Sequence, residues 1–418
     1  MRKRELFRTG DQALVRQINL SLVMDVLRRR APISRATLSQ AIGLNKSTVS
    51  DLISALLERQ FVRELGVKSS GIGRPGTLLT LNPRAGFIVS CEIGVDFIEV
   101  LVTDFAPEVI WQVQKPISPD IDQAICLRGV IDLLHQAVAR GTSLGFTPLG
   151  VAVGVPGIVE QATGTLLFAP NLRWSNVPLK QLLEQQAFGV PVFVDNEANM
   201  AALGEHYFGV AQGFDEVLYI SVGGGLGGGM IRDGQLCRGV SGGAAEFGHM
   251  TMDPEGELCN CGNRGCWETL VSQRALFRFV GELLAQGHPS LLVERTEGRL
   301  DRLSVPMVVE AAQVGDSVAI QSLSKLGRWL GIGIASLLNA LNPDLVVFGG
   351  ILSLAADVLL PIVGEEIQKR ALRINCETVR VVRAAHGSDA CVRGGVAMVY
   401  QSVLAQPNLI PLRNTADA

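Results

Sequence analysis

Apolar residues near the start of the chain recur at the spacing of α-helices. One set predicts a long helix, which ends at Ala31-Pro32 because proline cannot continue it; its members are Leu14, Ile18, Leu22, Val26 and Leu27. Ser34 can cap a second, short helix, and Gly43 can supply the turn that follows it. A third helix then has a buried face formed by Val49, Leu52, Ile53, Leu56 and Leu57. Two short helices around a glycine-containing turn predict a helix-turn-helix.

Alternating apolar positions at 61–67 and 78–81 predict a hairpin, or wing, after the third helix. At its tip, Arg74 is flanked by Gly73 and Pro75, and such an arginine can enter a narrow minor groove. Helix-turn-helix motifs meet bases and phosphates at the polar start of their second helix. We therefore expect residues 1–82 to form a winged helix-turn-helix DNA-binding domain, with contacts from Arg35, Asn45, Lys46, Ser47, Thr48 and Arg74. A winged helix that binds a protein is the alternative.

Beyond a hinge predicted at Asn82-Pro83, buried strand patterns alternate with helical patterns, which is typical of an α/β protein. Strands are expected at 87–93, 98–103, 149–153, 192–194, 217–222, 345–348 and 379–382. Several of them end in glycine-rich turns, at 154–157, 223–229 and 349–350. Such turns let backbone amides approach a ligand closely, so they predict a cleft for a nucleotide or a sugar. Tight packing alone is the alternative explanation for each turn.

Charge is unevenly distributed along the chain. Residues 1–75 hold 14 Lys and Arg against 6 Asp and Glu, a net of +8, whereas the remainder holds 23 against 34, a net of -11; together they give -3. A basic domain on an acidic body indicates a polyanionic partner for the basic domain alone. A solvated basic face without a partner has the same composition. No apolar run could span a bilayer, and no apolar signal core follows the charged N-terminus, so we expect a cytoplasmic protein without a membrane partner.

The segment 246–268 carries a dense group of metal-binding side chains. Cys259, Cys261 and Cys266 lie within eight residues, and His249 precedes the first of them by ten positions. Three thiolates and one imidazole complete the tetrahedral shell of zinc. A closed shell leaves no position for water, so the predicted zinc ion is structural rather than catalytic. The alternative is that the cysteines are small, buried apolar residues.

The body resembles the ROK family, which comprises sugar kinases and transcriptional repressors built on the actin-like ATPase (ribonuclease H-like) fold. The resemblance rests on four strings: E-x-G-H at 246–249, C-x-C-G-x-x-G-C-x-E at 259–268, Gly-Val-Pro-Gly at 154–157 and Asp-Asn-Glu-Ala-Asn at 195–199. A winged helix before such a body is typical of the NagC, Mlc and xylose-repressor groups, and the Asn-Glu-Ala-Asn string is most similar to the xylose-repressor branch. The resemblance implies a two-lobed α/β body over 83–418, with a first lobe of about 83–196 plus 390–410 and a second of about 197–389.

The resemblance also implies a set of sugar-binding residues: Asn196, Glu246, His249 and Glu268, with Glu197 close by. Their chemistry agrees, since sugar hydroxyls both donate and accept hydrogen bonds and therefore pair with carboxylates, amides and imidazoles. His249 could bind zinc with one ring nitrogen and a sugar hydroxyl with the other, and the metal would then fix the orientation of the ring. A buried polar network that serves only the fold is the alternative.

Three positions depart from the pattern of the family's kinases. Glu197 stands where the kinases have an aspartate as general base, and the longer side chain moves the carboxylate by roughly 1 Å, which can cost about a hundredfold in rate. The kinases' D-x-G-x-T turn reads Glu92-Ile93-Gly94-Val95-Asp96 here, and Asp96 would repel a triphosphate. Gly224 replaces a threonine of the second phosphate turn. We therefore expect a sugar sensor without kinase activity.

The expected function is a sugar-responsive, DNA-binding transcriptional repressor of carbohydrate-utilisation genes, with xylose as the candidate effector. Winged-helix proteins usually read two half-sites, so a homodimer or homotetramer is expected on operator DNA. Two alternatives remain open from the sequence: an active ATP-dependent sugar kinase that carries a DNA-binding domain, and a repressor controlled by a protein partner. Sugar-dependent ATP turnover would identify the first, and the absence of binding heat with any sugar would identify the second.

Overall fold

The computed structural model describes residues 12–67 and 77–405. Its N-terminal domain packs helices against a small sheet of order β1-β3-β2, and its elements are α1 (Gln12–Arg30), β1 (Ile33–Ser34), α2 (Arg35–Ile42), α3 (Lys46–Glu58), β2 (Val62–Val67) and β3 (Thr77–Leu81). The Ser34 hydroxyl accepts a hydrogen bond from the Thr37 amide to cap α2, and Gly43 ends it with a φ of 70°. The predicted winged helix-turn-helix is confirmed in these residues, whereas Arg74 lies outside them.

Helix α1 forms as predicted, but its buried face differs from the apolar set that predicted it. Leu20, Val23, Met24 and Leu27 are the residues packed in the core. Leu14, Ile18 and Leu22 are between 43% and 51% exposed. Periodicity identifies a helix, but a helix that is apolar on two faces does not reveal which face meets the core.

The first lobe is built on a mixed sheet of order β11-β7-β4-β5-β6. Strands β4 and β7 are parallel, as are β7 and β11, while β4-β5-β6 is an antiparallel meander. In chain order the elements are β4 (Phe87–Ile93), β5 (Phe97–Asp104), β6 (Val109–Pro116), α4 (Gln123–Ser143), β7 (Pro148–Val155), β8 (Ile158–Glu160), β9 (Thr165–Ala169), β10 (Trp174–Val177), α5 (Leu179–Glu184) and β11 (Val192–Asn196). Strands β8, β9 and β10 form a separate antiparallel sheet beside the cleft.

The second lobe follows α6 (Glu197–Phe208) and is built on a sheet of order β14-β13-β12-β15-β16. Its elements are β12 (Val217–Val222), β13 (Leu226–Arg232), β14 (Gln235–Leu236), α7 (Trp267–Leu270), α8 (Gln273–Ala285), α9 (Leu291–Arg295), α10 (Val305–Gln313), α11 (Ser317–Leu341), β15 (Leu345–Gly349), α12 (Ala356–Arg370), α13 (Arg373–Thr378) and β16 (Arg380–Arg383). The last helix, α14 (Ala390–Ala405), returns to the first lobe and packs on β4 and β7.

The two sheets repeat one topology. In each, an antiparallel meander is followed by two strands that pair in parallel on one side of the meander's first strand. The expected two-lobed, actin-like α/β body is confirmed. This internal repeat left no repeated motif in the sequence, because each lobe needs only the same pattern of buried strands and not the same residues.

All seven predicted strands exist; two have the predicted ends, and the ends of the other five differ by at most two residues. The glycine run 223–229 was expected to be a turn throughout, and this is wrong for its second half. Only 223–225 turn, and Gly227, Gly228 and Gly229 belong to β13. A Cβ on Gly229 would lie 2.6 Å from the Ala198 carbonyl oxygen of α6. The glycines of this strand therefore permit close packing against α6, which the sequence could not show.

The N-terminal domain is joined to the first lobe by a shared hydrophobic core, although a hinge was predicted between them. One cluster of buried residues contains Leu27 of α1, Phe105 of the first lobe and Tyr400 of α14. At the junction, the Asn82 side chain donates to the Gln60 carbonyl oxygen at 2.7 Å and accepts from the Arg84 amide. Among the helices of 12–67 and 77–405, none combines the length and the apolar character that crossing a membrane requires.

Candidate ligand pocket and metal centre

A cavity of about 860 Å³ lies between the lobes, where the carboxyl ends of β4, β7, β11, β12 and β15 meet. The described residues that line it include five carboxylates and no Lys or Arg; the carboxylates belong to Glu92, Asp96, Glu197, Glu246 and Glu268. Asn196 and His249 also face it. All five predicted sugar-binding residues are therefore brought together in one cleft, although they come from both lobes and from α6.

The four predicted metal ligands also converge. The Nδ1 or Nε2 atom of His249 and the Sγ atoms of Cys259, Cys261 and Cys266 all lie within 4.8 Å of one another. The Cys261 and Cys266 sulfurs are 3.7 Å apart, and the Cys259 sulfur is 3.7 Å from His249 Nδ1. Two sulfurs each about 2.3 Å from a tetrahedral zinc ion would be about 3.8 Å apart. The donor set therefore fits zinc in both chemistry and spacing.

Two glycines fold the thiolates back onto one point. Gly262 and Gly265 have φ values of 94° and 62°, which side chains rarely adopt. A Cβ on Gly265 would lie only 1.4 Å from the Asp253 carbonyl oxygen. The Cys259 amide donates to the Asn263 carbonyl oxygen at 2.8 Å and closes the loop. These two positions therefore require glycine for the cluster to form.

His249 lies between the metal cluster and the cavity. Its Nδ1 faces Cys259, whereas its Nε2 is 3.9 Å from Glu246 Oε2. Glu246 directly precedes the single helical turn Phe247–His249, which brings the two side chains together. Glu268 Oε1 accepts a hydrogen bond from the Cys259 thiol at 2.9 Å, and its Oε2 lies 3.4 Å from the Leu226 amide. The metal loop and the polar wall of the cavity are thus one unit.

Asn196 has a structural task that its motif did not predict. Its Oδ1 accepts from the Ala198 and Asn199 amides and so caps α6, while its Nδ2 donates to the Gly157 carbonyl oxygen at 3.0 Å. Only one amide hydrogen is left for a ligand. Next to it, burial first and then Glu246 and Glu92 raise the pKa of Glu197 well above its usual value. The buried Glu197 Oε2 has no hydrogen-bond partner among the residues that the structure describes.

The three departures from the kinase pattern line the same cavity. Glu197 and Gly224 face it, and so do Glu92 and Asp96, the two ends of the altered first phosphate turn. Glu92 pairs across the sheet with Glu99, and burial followed by this neighbouring carboxylate raises the pKa of Glu92 to about 8. At this end of the cleft, phosphate groups would meet carboxyl groups rather than cations.

Two polar contacts between the lobes have no counterpart among the predicted residues. Asn171, in the turn between β9 and β10, lines the cavity and accepts a hydrogen bond from Asn260 of the metal loop at 2.8 Å. Arg238 of the second lobe donates to Asp195 at the end of β11 at 2.7 Å. Both contacts join the lobes. The sequence carried no signal for them, because each pair is formed by residues far apart in the chain.

The predicted DNA-binding residues of the described chain lie together at the start of α2 and α3. Asn45 caps α3 through its side chain, which accepts from the Thr48 amide and from the Ser47 hydroxyl. Lys46 is exposed at the first position of α3. Arg35 forms an ion pair with Glu64 of β2 at 2.8 Å and so connects α2 to the wing strand. Lys46 is therefore the side chain of this group with the most freedom to meet a phosphate.

Known proteins are similar to this chain in both fold and sequence. The ROK family model matches residues 88–402. A xylose repressor of Caldicellulosiruptor bescii is 35% identical over 398 residues, which cover 95% of this chain and 99% of that protein. The crystal structure of a ROK family transcriptional regulator, a homologue of the E. coli Mlc protein, has a TM-score of 0.80 at 28% identity and covers 94% of this chain and 97% of its own.

A kinase of the same family is similar over a smaller part. A ROK family glucokinase from Streptomyces griseus, in complex with glucose and AMPPNP, has a TM-score of 0.67 at 35% identity. The match covers 75% of this chain and 99% of the glucokinase. The family model spans more than half of the chain, and a repressor more than 30% identical is matched over almost its full length. This chain therefore belongs to the ROK family.

Proposed function

We propose that this chain is a transcriptional repressor of carbohydrate-utilisation genes that responds to a neutral monosaccharide, with xylose as the first candidate. The observation that carries the proposal is the presence, in one chain, of a winged helix-turn-helix and a cleft lined by the predicted sugar-binding residues, next to a cluster of three cysteines and a histidine that fits zinc. Relatives similar over nearly their whole length are named as xylose repressors. Operator DNA and a sugar are the two partners that this combination requires.

Sugar recognition is proposed to occur at the wall formed by Glu246, His249 and Glu268, with Asn196 and Glu197 opposite. Zinc bound by His249, Cys259, Cys261 and Cys266 would hold the imidazole orientation fixed, so that Nε2 is directed at the ligand. The carboxylates accept hydrogen bonds from sugar hydroxyls, and the imidazole N–H donates one in return. Asn171 is a further candidate, because it faces the same cavity from the first lobe.

Phosphoryl transfer is not part of this proposal. Burial raises the pKa of Glu197 well above its usual value, which favours the protonated carboxyl, and a protonated carboxyl cannot take a proton from a sugar hydroxyl. Asp96 places a carboxylate where a triphosphate would need cations or backbone amides. These features support a sensor rather than an enzyme. Sustained, sugar-dependent release of ADP in a coupled assay across pentoses and hexoses would contradict it.

The sugar must bind more tightly to one DNA-binding state than to the other, since equal affinity would shift nothing. We propose that the lobes close over the sugar and change the spacing of the two N-terminal domains in a dimer. The test begins with a thermal-shift screen of neutral monosaccharides and their phosphates, in which a ligand of the native state raises the melting temperature. Operator affinity and the distance between labelled N-terminal domains are then measured with and without the active sugar. If every sugar leaves both unchanged, the proposal fails.

A further inference from the structure

We infer that α6 and α14 together, called here the α6–α14 pair, carry the sugar response to the DNA-binding domain, and that Arg28 couples this pair to α1. The inference rests on the proposed function and deepens it. Both helices begin at the cavity, since Glu197 starts α6, Ala390 starts α14, and both residues line the cleft. Cys391, the second residue of α14, lines it too. A change in the cleft therefore acts on the first turn of each helix.

The two helices are packed so closely that they can move only together. A Cβ on Gly204 of α6 would lie 2.6 Å from the Ala390 carbonyl oxygen. A Cβ on Gly394 of α14 would lie 1.6 Å from the Met200 carbonyl oxygen. Backbone meets backbone at this crossing, without long side chains that could change rotamer and absorb a displacement. The α6–α14 pair therefore transmits a shift of its cavity end to its far end.

Helix α6 also lies between the two parts of the protein whose relative position would change on sugar binding. One face, with Met200 and Leu203, belongs to the core shared by α14 and the N-terminal domain. The opposite face, with Ala201 and Ala202, packs with the second-lobe sheet. A sugar held between Glu197 of α6 and His249 of the second lobe would change how these two parts meet. A sugar can shift the protein between two DNA-binding states only through a contact that differs between them, and this contact is thus located at the start of α6.

The far ends of both helices contact α1. Arg28 donates from Nη1 to the Tyr207 carbonyl oxygen of α6 at 3.0 Å, and its guanidinium lies 4.5 Å from the centre of the Tyr207 ring. The Arg28 side chain is only 10% exposed, and Asp25 holds it at 2.9 Å. Gln17, about three turns earlier in α1, donates to the Ala405 carbonyl oxygen at the end of α14. Helix α1 is therefore held by both members of the pair.

An aromatic stack continues this connection to the helix-turn-helix. The Tyr400 ring of α14 stacks on Phe105 with 4.9 Å between ring centres, and Phe105 lies 5.3 Å from Phe61. Phe61 follows α3, the helix whose start carries Lys46. All three rings are buried, so a displacement of α14 must be accommodated by the end of α3. The route from the cleft to the DNA-binding helix therefore consists of packed residues throughout.

The test compares Arg28→Ala with Arg29→Ala. Arg29 is a matched control because it is the next residue of α1 and also pairs with Asp25, at 2.9 Å, but its side chain is 53% exposed. Full-length proteins are titrated with a DNA duplex selected from a random pool by the sugar-free wild type, with and without saturating D-xylose. Calorimetry gives xylose affinity for each protein. We expect Arg28→Ala to bind xylose within twofold of wild type, while the xylose-induced change in DNA affinity falls at least fivefold; Arg29→Ala should keep that change.

A second measurement uses the wild type alone, so that it does not depend on the stability of a variant. Hydrogen exchange is followed by mass spectrometry with and without D-xylose, and we expect changes in peptides covering 12–30 and 197–208. If the wild-type DNA affinity responds to xylose but Arg28→Ala responds equally, or if exchange changes only around the cleft, the coupling inference is wrong and the proposed function stands. If xylose neither binds the wild type nor alters its DNA affinity, the proposed function fails for this sugar, and the inference fails with it.

Discussion

Arg238 donates from Nε to Asp195 Oδ2 at 2.7 Å, and this ion pair joins the second lobe to the start of α6. The side chains are 20% and 6% exposed, so the pair is largely shielded from solvent. The other oxygen of Asp195 accepts from the Asn196 amide and from Asn199 Nδ2. The pair therefore orients the turn that presents Asn196 and Glu197 to the cleft, without contacting the cavity itself.

Replacing Arg238 should weaken sugar binding without removing the metal. We expect Arg238→Ala to lower sugar affinity about tenfold or more, because a buried charge left without its partner rearranges the turn around Asp195. Arg238→Lys should recover part of the loss, since it keeps the charge but not the guanidinium geometry. Calorimetry measures the affinity, and metal analysis should show unchanged zinc. Arg232→Ala, at an exposed arginine of β13, is the control; equal affinity in all four proteins would contradict the role of Arg238.

Removing one metal ligand should affect the metal and the sugar response together. Cys261→Ser replaces a strong thiolate ligand with a weak one, so most of the zinc should be lost and the melting temperature should fall. Because the metal loop also places His249 and Glu268, sugar binding should be lost as well. The control is Cys237→Ser, which alters a half-buried cysteine outside the cluster. A Cys261 variant that kept both zinc and sugar response would refute the structural role of the metal.

Stability should fall as pH rises, partly through Glu92. In the unfolded chain this carboxyl loses its proton near pH 4.5, whereas burial and Glu99 keep it protonated in the folded protein up to about pH 8. Between these values the unfolded state binds fewer protons, so folding is destabilised by up to about 1.4 kcal/mol per pH unit. Glu92→Gln removes this effect, and its melting temperature relative to wild type should rise by several degrees from pH 5 to pH 8. The control is Glu108→Gln, at an exposed carboxyl, whose melting temperature relative to wild type should stay the same from pH 5 to pH 8. The same result for Glu92→Gln would contradict the role of Glu92.

DNA affinity should depend on Lys46 in a manner sensitive to salt. A lysine that contacts one phosphate releases about one counterion, so Lys46→Ala should weaken binding on all sequences and reduce the salt slope by about one. The measurement is fluorescence anisotropy at several salt concentrations, with Lys115→Ala in β6 as the control on the body.

Arg74→Ala tests the wing by the same method and should leave sugar affinity intact. Unchanged DNA affinity for either variant would exclude that residue from the interface.

Strands, helix caps and turns could be predicted because each depends on residues that are close together in the sequence. Strand β4 runs over Phe87–Ile93 and β12 over Val217–Val222, as the runs of buried residues indicated. The Ser34 cap and the Gly43 turn were predictable for the same reason, since a cap or a turn depends on a few neighbouring residues. The metal cluster was predictable because its ligands lie within 18 positions, from His249 to Cys266.

Contacts between distant segments were not predictable from one sequence. The side of α1 that is buried depends on where α14 and the first lobe lie, and the helix is apolar on both faces. The strand assignment of Gly227–Gly229 depends on α6, which packs against Gly227 and Gly229. Asn171 and Arg238 had no motif, because their partners are 89 and 43 positions away. Such contacts exist only once the chain has folded.

By itself, the sequence determined the winged helix-turn-helix and the cluster of three cysteines and a histidine, because these follow from spacing and residue chemistry, while its resemblance to the ROK family implied the two-lobed body and the residues expected to bind sugar. Only the tertiary structure decided that Asn196 caps a helix, that Glu92 at the cleft is buried beside Glu99, and that Arg28 joins the DNA-binding domain to α6. The physical reason is that burial, pKa and interdomain contact depend on which segments meet in space. Periodicity along the chain records which residues avoid water, but not what they are buried against.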